Sequence, residues 1–412
     1  MKYKEKSVLV CGGGTVGLSL AAELGWRGID CLAIEQADKL NPHPRANAVA
    51  NRTMEYFRRW GIDEEIARAG VPPDHPADYY WISRFQGKLL YKVSLPPAKK
   101  MKKDKSDFDR LGEEYTWSPY LKTITGQNEV EAIILDHLKS LDCVDFKFSK
   151  KLVDFQQDNS GVTCILEDKN EKKYEEVRCK YLLACDGGKS IVREKLGFEL
   201  VGRANLAQFI SIYFRAPSFM ECHKFGPANI YFPLHREHAG FILNWDTGTT
   251  FTYHRMLKHG ESWKQIDPVK AIQNVLGADI NIDILSTQPW SAHALVSEKY
   301  HEKRVFLAGD AAHLFTPTGG FGMNTGVSDA INLAWKIEAK IKGWGGTYLL
   351  ESYCQERHAV GVRNTSEAAN CFEELKNVMH YGDELERDDP SNKDFQNNLQ
   401  QNLKNQIKLI SS

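Results

Sequence analysis

The residues with the clearest chemical potential lie within the first 35 positions. Gly12, Gly14 and Gly17 follow an apolar run that ends at Cys11, and an apolar helical pattern follows them. In this G-x-G-x-x-G spacing the first glycine allows a tight turn, the second lets backbone approach a pyrophosphate, and the third lets the helix pack against the strand. Glu35 ends the next apolar run, about 20 residues on, where a carboxylate can bind ribose hydroxyls. The pattern predicts a dinucleotide site on a helix N-terminus, and a glycine turn that serves only packing is the alternative.

Two further acidic turns follow strand patterns much later in the chain. Asp186 comes after an apolar run that ends at Cys185, and we expect Ser190 to cap a short helix that carries Arg193. Asp310 follows another apolar run, and the glycines after it would let backbone lie against a flat ring. Each turn alone also fits an ordinary strand-turn-helix junction.

Composition limits the class of protein. At 412 residues the chain exceeds the ~250–300 at which one hydrophobic core stops growing, so we expect two sub-domains. The formal net charge of −1 indicates no nucleic-acid partner. Nine cysteines without a C-x-x-C pair argue against a zinc ribbon, and we expect no metal. We see no signal peptide and expect a cytoplasmic location, and three consecutive glycines and Glu23 exclude a membrane span near the N-terminus.

Alternating helix and strand patterns must position these residues. Helical patterns cover 45–57, ending at Gly61, then 127–141 and 324–340. The charge run 99–105 is typical of a solvated loop, and the polar tail from Ser391 fits a loosely held helix or a disordered segment. Strand patterns cover 7–11, 31–34, 79–82, 89–93, 181–185, 208–214, 229–232, 240–245 and 304–308.

Taken together, the three turns resemble those of the single-component FAD-dependent aromatic hydroxylases. These are the p-hydroxybenzoate hydroxylase-like flavoprotein monooxygenases, and the phenol and 2,4-dichlorophenol hydroxylase branch is nearest. The resemblance covers about residues 5–375. It implies an α/β fold, in which a Rossmann-like FAD-binding domain is interleaved with a β-rich substrate domain and followed by a C-terminal helical tail. The implied divisions are 1–80, 116–200 and 296–345 for FAD binding, 81–115 for a substrate-domain hairpin, 201–295 for the β-rich substrate domain, and 346–412 for the tail.

The same resemblance implies the activity. NAD(P)H would reduce FAD, and O2 would then hydroxylate a small aromatic substrate, phenol-like or polyketide-like, by way of a flavin C4a-hydroperoxide. A helix beginning near Met323 would present N–H groups to the flavin and stabilise its anionic reduced form. The implied cofactor-binding residues are Gly12, Gly14, Thr15, Val16, Gly17, Glu35, Gln36, Arg45, Gln127, Asp186, Gly187, Asp310, Pro317, Gly320, Gly322, Met323 and Asn324.

The chain departs from the family pattern in two places. Asn47 stands where the phenol hydroxylase branch often has His or Asp, and an amide cannot take a proton at neutral pH. Either another residue activates the substrate ring, or the substrate is not a simple phenol. The catalytic residue is left unassigned: Asn47 and Tyr231 are candidates, and Tyr213, His235 and His238 are considered by location in the β-rich unit. From the resemblance we also expect the chain to lack the C-terminal thioredoxin-like domain of phenol hydroxylase relatives.

Two alternatives belong to other classes. Flavin-dependent halogenases share a W-x-W-x-I-P motif that is missing around Trp245, Trp263 and Trp290. An FAD-binding protein without hydroxylase activity, such as a carrier, a sensor or a decayed enzyme, stays open. The sequence also leaves open the substrate, the choice between NADH and NADPH, and the oligomeric state, a homodimer included.

Overall fold

The computed structural model describes residues 4–94, 118–120, 122–379, 381–387, 393, 395 and 397–403. The charge run 99–105, the second half of the predicted hairpin segment 81–115, and part of the tail from Ser391 lie outside the described residues.

Strands and helices alternate along the chain, as the patterns predict. The strands are β1 (Lys4–Cys11), β2 (Cys31–Ile34), β3 (Ala48–Val49), β4 (Tyr79–Ile82), β5 (Leu89–Val93), β6 (Thr123–Ile124), β7 (Val144–Lys147), β8 (Lys150–Gln157), β9 (Val162–Asp168), β10 (Lys173–Ala184), β11 (Leu200–Arg215), β12 (Ile230–Pro233), β13 (Gly240–Asn244), β14 (Thr250–Met256), β15 (Asp283–Ser297), β16 (His301–Glu302), β17 (Val305–Leu307) and β18 (His313–Leu314). The α-helices are α1 (Thr15–Trp26), α2 (Asn51–Trp60), α3 (Asp63–Ala69), α4 (Gln127–Leu138), α5 (Ile191–Lys195), α6 (Pro268–Leu276), α7 (Phe321–Ile341) and α8 (Glu351–Val378). Short 3-10 helices cover Pro217–Cys222, Trp263–Gln265, Gly309–Ala311, Thr318–Gly320 and Asp383–Glu386.

The first sheet carries the glycine motif. Its strand order is β16-β17-β10-β1-β2-β7, and β8 and β9 extend it as an antiparallel hairpin beside β10. The contacts of β1 with β2 and β10, of β10 with β17, and of β2 with β7 are all parallel. Strands buried on both faces read as continuous apolar runs, which is why β1, β2 and β17 were visible in the sequence. Helix α1 is buried against this sheet and also contacts α4 and α7.

The second sheet is mostly antiparallel. Its strand order is β18-β15-β11-β14-β13-β12-β4-β5, and β4 joins it through the parallel partner β12. One face packs against α8, where Phe209 and Phe232 meet Phe372 and Leu375. The other face packs against α6 around Ile272. The chain enters this sheet at β4 and returns to it at β11, so the predicted interleaving of an α/β unit with a β-rich unit is confirmed.

Some predicted boundaries were wrong. Residues 45–50 are not helical: Ala48–Val49 forms β3 beside β6, and α2 begins only at Asn51. Helix α7 begins at Phe321 rather than near Asn324. The end of α2 at Gly61 is confirmed, because this glycine has a φ of 78° and closes the helix. Among the described residues, no helix is both long and apolar enough to cross a membrane.

Candidate functional site

Four parallel strands end side by side at the candidate site. Cys11 at the end of β1 is in register with Ala184 of β10 and Ile34 of β2, and Ala184 is in register with Leu307 of β17. The loops that follow carry Gly12, Asp186, Glu35 and Asp310. In an open α/β sheet, ligands bind at the carboxyl ends of the strands. The sheet therefore brings the three sequence motifs to one edge.

The glycine turn leaves little space for side chains except at its centre. At Gly12 φ is 110°, and a Cβ atom would lie 2.2 Å from the Cys185 carbonyl oxygen. A Cβ on Gly17 would lie 1.9 Å from the Gly12 oxygen. At Gly14 the nearest atom to such a Cβ is a Glu131 oxygen at 3.8 Å, so backbone is open to approach there. These distances agree with the predicted roles of Gly12 in the tight turn, Gly14 in backbone access and Gly17 in helix packing.

The residues next to the glycines make contacts that the sequence did not indicate. The Thr15 amide and hydroxyl both donate to the Glu131 carboxylate, at 3.0 and 2.8 Å. Gln127 donates its side-chain amide to the same oxygen at 2.7 Å. One of the helix N–H groups expected to meet a pyrophosphate is therefore held by a buried carboxylate. Glu131 lies four residues after Gln127 on the same face of α4, and that spacing was the only signal for it.

Glu35 lies beside the glycine turn. Its carboxylate accepts hydrogen bonds from the backbone amides of Gly13 at 2.7 Å and Ala37 at 2.8 Å. Gln36 is exposed, and its carbonyl accepts from Lys169. Val16 packs into gaps at Gly309 and Gly326, where a Cβ would lie 2.7 and 2.5 Å from it. Val16 therefore holds α1 against α7.

The second motif forms a turn with an incompletely bonded carboxylate. One Asp186 oxygen accepts the Val192 amide at 3.3 Å, while the other is buried without a partner among the described residues. Burial raises the pKa of Asp186. Gly187 has a φ of 82° and open space around it. The predicted cap is confirmed, because Ser190 accepts the Arg193 amide at 3.0 Å.

Arg193 joins the second motif to the third. Its guanidinium is buried and donates to the carbonyl oxygens of Ala311 and Gly188, both at 2.8 Å. Helix α5 thereby fixes the turn that carries Asp310. The sequence marked this arginine only as part of the motif and did not indicate its partners.

The Asp310 turn is held from the other side by α7. Asp329 accepts the Gly309 amide at 3.2 Å and also bonds to His313 at 2.6 Å and Arg357 at 2.7 Å. Burial acts to raise the pKa of Asp329, but these two neighbours hold it below its usual range. Asp310 itself is exposed.

The glycine-rich stretch after Asp310 leads into α7. Pro317 precedes the 3-10 turn, and Gly320 has a φ of 69°. Gly322 and Met323 lie in the first turn of α7, and Met323 is buried. The Asn324 side chain accepts from the Ala50 amide and Thr53 hydroxyl and donates to the Ala48 and Gly320 carbonyls. It ties the start of α7 to β3 and α2.

The segment from Arg45 to Val49 contacts both the start of α7, where Asn324 donates to the Ala48 carbonyl, and the second sheet. Arg45 is exposed, and its charge acts on the Asp310 carboxylate. Asn47 donates to the Asn229 side chain at 3.4 Å, at the start of β12. Nearby, Asn244 at the end of β13 bonds to the His75 Nε2 at 3.2 Å. His75 is a titratable neighbour that the sequence analysis missed.

Tyr231 does not join this group. It is fully buried on the α6 face of the second sheet, and its hydroxyl donates to the Gly226 carbonyl at 2.7 Å. His235 and His238 lie in the turn after β12, at the end of that strand opposite to Asn229. Tyr213 lies in β11, with its ring 6.0 Å from that of His43. The buried His43 ring bridges Ser211 and Ser286 at 2.7 Å each, and burial together with Arg45 lowers its pKa to about 4.

These observations fit a bound dinucleotide. The edge offers an open approach at Gly14, a carboxylate at Glu35 beside the glycine turn, and a buried Asp186 oxygen without a partner among the described residues. Such groups are suited to phosphate oxygens, ribose hydroxyls and a polar ligand atom, respectively.

Comparisons with known proteins agree with this geometry. A family model described as "FAD binding domain" matches residues 5–368. A putative polyketide hydroxylase of Streptomyces halstedii is 32% identical over 378 residues, which are 88% of this chain and 64% of the relative. Tetracenomycin B2 monooxygenase-dioxygenase of Streptomyces olivaceus is 31% identical over 88% of this chain and 68% of its own. The solved structure of the rebeccamycin biosynthetic enzyme RebC with reduced flavin matches 98% of this chain and 75% of its own, with a TM-score of 0.85 and 28% identity. The chain spans less than two thirds of the length of the Streptomyces halstedii relative. Because the family model matches nearly 90% of its residues, the chain belongs to the FAD-binding-domain family.

Proposed function

We propose that this chain is an FAD-dependent monooxygenase that uses NAD(P)H and O2 to hydroxylate an aromatic, phenol-like or polyketide-like compound. The observation that carries the proposal is the alignment of Gly12, Asp186, Glu35 and Asp310 at the ends of four neighbouring parallel strands. Relatives named as a polyketide hydroxylase and a monooxygenase-dioxygenase support the reaction class.

We assign the cofactor to this edge of the first sheet. Glu35 would hold a ribose, the N-terminus of α1 would face the pyrophosphate, and Asp310 would bind hydroxyls of the ribityl chain. When bound, FAD supplies the electron storage and oxygen activation that side chains do not provide. The first turn of α7 presents backbone N–H groups, whose positive dipole end favours negative charge nearby.

We place the aromatic substrate where the Arg45–Val49 segment meets the second sheet. Asn47 and Asn229 face each other there across 3.4 Å, a long contact that a substrate hydroxyl or carbonyl can replace. Trp245 lies beside Gly126 on the same side, 3.4 Å from the position of a Cβ there. Amides give the substrate hydrogen bonds, and the indole gives it an apolar surface.

We assign the acid–base role to His75. Asn47 and Asn229 cannot titrate, whereas His75 bonds to the Asn244 side chain, and the Asn244 backbone amide donates to the Asn229 carbonyl at 3.0 Å. Burial lowers the pKa of His75, against the opposing effect of Asp246 and Asp74, so the ring is a neutral acceptor at pH 7. A neutral imidazole can take the proton of a substrate hydroxyl, and the deprotonated substrate then has a more electron-rich aromatic ring.

The decisive experiment measures product as well as cofactor consumption. The purified protein with FAD is mixed with a panel of phenols and aromatic polyketides, and oxidation of NADPH and NADH is followed. We expect one class of compound to accelerate oxidation and to gain a labelled oxygen atom from isotopically labelled O2. Oxidation without labelled product for every compound would leave an FAD-binding protein without hydroxylase activity and contradict the proposal.

A matched pair of variants tests the cofactor assignment. Asp310→Asn keeps the side-chain shape but removes the charge expected at the cofactor, so we expect FAD affinity to fall at least tenfold. Asp142→Asn makes the same change at an exposed position after α4 and should bind FAD as the parent does. Equal affinities for the two variants would exclude Asp310 from the site.

A further inference from the structure

The turn between β12 and β13 gathers three side chains that can bind metal. His235, Glu237 and His238 each offer one ligand atom, and these atoms lie within 4.8 Å of one another. His235 is buried, His238 is half-buried and Glu237 is exposed. All three come from four consecutive positions, so the turn itself holds them together.

This cluster is separate from the proposed flavin site. Asn229 marks the end of β12 that faces Asn47, and His235 follows the opposite end. At a rise of 3.3 Å per residue, six residues of extended chain place them about 20 Å apart. The proposed hydroxylation makes no use of the cluster.

The backbone around the cluster is well anchored. The His235 amide donates to the Ser83 carbonyl at 3.1 Å, and the Arg236 amide donates to the Tyr381 carbonyl at 2.8 Å. The His235 Nδ1 accepts the Glu237 amide at 3.4 Å, so coordination through Nε2 would keep that contact. The turn thus lies where the β4–β5 hairpin, the β12–β13 hairpin and the segment near Tyr381 meet.

The positive charges near the cluster are paired. Two arginines lie close enough to act on His238, and each has a carboxylate partner: Arg84 bonds to Glu386 and Arg255 bonds to Glu261. Their charges are therefore largely compensated and do not oppose a bound cation.

We propose that His235, Glu237 and His238 form a binding site for one divalent transition-metal ion of the Zn²⁺ type. Two imidazoles and a carboxylate are a common zinc ligand set, and a water molecule would complete a tetrahedron. With ligand bonds of about 2.1 Å, tetrahedral ligand atoms lie about 3.4 Å apart, so the set must contract. Glu237 is exposed and can rotate inward. The ion would stabilise the β12–β13 turn. The absence of C-x-x-C pairs argues only against zinc sites with cysteine ligands, and this site has none.

The test uses the tag-free, FAD-containing protein after treatment with a chelator. Binding of Zn²⁺ is measured by calorimetry, and Co²⁺ is used as a spectroscopic probe whose ligand-field band reports tetrahedral coordination. We expect one Zn²⁺ per chain, a tetrahedral Co²⁺ band, and a higher melting temperature with Zn²⁺.

Three variants separate this site from general metal binding. Glu237→Gln and His238→Ala should each weaken Zn²⁺ binding at least tenfold and remove the Co²⁺ band. His259→Ala removes an exposed histidine in the loop after β14 and should change neither. His235 is left unchanged because it is buried and its loss could unfold the turn. Failure of the parent to bind one ion, or equal binding by His238→Ala and His259→Ala, would overturn the proposal.

Discussion

The substitution Asp329→Asn tests how the third motif is held. Asp329 has no exposed surface and bonds to the Gly309 amide, to His313 and to Arg357. The amide keeps the size of the side chain and one acceptor oxygen, but it removes the charge. Arg357, whose side chain is 12% exposed, then lacks its carboxylate partner.

Two magnitudes follow from these contacts. Removing one partner of a buried ion pair costs about 3–5 kcal/mol, because the other charge remains buried. With an unfolding entropy of about 2.1 cal/mol/K per residue, a chain of 412 residues loses about 1.2 °C per kcal/mol, so the melting temperature should fall by about 5 °C. The bond from Gly309 to a charged acceptor contributes about 1.5–3 kcal/mol, and if the Asp310 turn depends on it, FAD should dissociate about 10- to 100-fold more readily.

Thermal unfolding and fluorescence titration of the apoprotein with FAD measure these two effects. The matched control is Asp136→Asn, which removes a carboxylate from an exposed pair with Lys139, where both side chains are more than 70% exposed. Exposed pairs contribute at most about 1 kcal/mol, so this control should unfold as the parent does.

A second variant separates charge from shape. Adding Arg357→Met to Asp329→Asn removes the uncompensated guanidinium, so the double variant should be more stable than Asp329→Asn alone. If Asp329→Asn unfolds and binds FAD as Asp136→Asn does, or if Arg357→Met brings no recovery, Asp329 does not hold this turn by its charge.

Three further predictions concern packing and pH. Gly17→Ala should weaken FAD binding more than tenfold, since its Cβ would lie 1.9 Å from a backbone oxygen of the glycine turn, whereas Gly346→Ala, with no atom within 4 Å, should have no effect in the same titration. The pKa of His75 lies below 6.5, so its neutral, proton-accepting form is lost at acid pH, and kcat/KM for hydroxylation should decline there. His75→Gln should remove this acid-side decline. An unchanged pH profile would exclude His75 as the base. Burial lowers the pKa of His43 to about 4 and of His254 to about 3, so the unfolded chain takes up protons below pH 6.5 that the folded chain does not. As the pH falls below 6.5, the free energy of unfolding should therefore decrease by up to about 1.4 kcal/mol per pH unit for each ring. His254→Phe should reduce that slope in denaturant titrations, and a slope equal to the parent's would contradict the lowered pKa of His254.

Structural features that depend on neighbouring residues could be predicted from the sequence. The predicted spans of β2, β4 and β5 agree with the structure residue for residue, because apolar runs bounded by turn residues are local signals. The Ser190 cap and the Gly61 helix end depend on contacts within four residues. The order of the three motifs along the chain was likewise enough to indicate the family and its cofactor.

Contacts between distant segments could not be predicted from local sequence patterns. Glu131 reaches Thr15 across 116 positions, and Arg193 reaches Ala311 across 118, so no window of sequence contains both partners. The direction of Tyr231 depends on strand register, because a side chain one position away points to the opposite face. The length of β15 also escaped the sequence patterns, since its partner β11 lies some seventy residues earlier. Local chemistry thus specified which residues could bind a nucleotide, while the pairing of β1, β2, β10 and β17 placed them at one edge, because only packed parallel strands bring separate turns together.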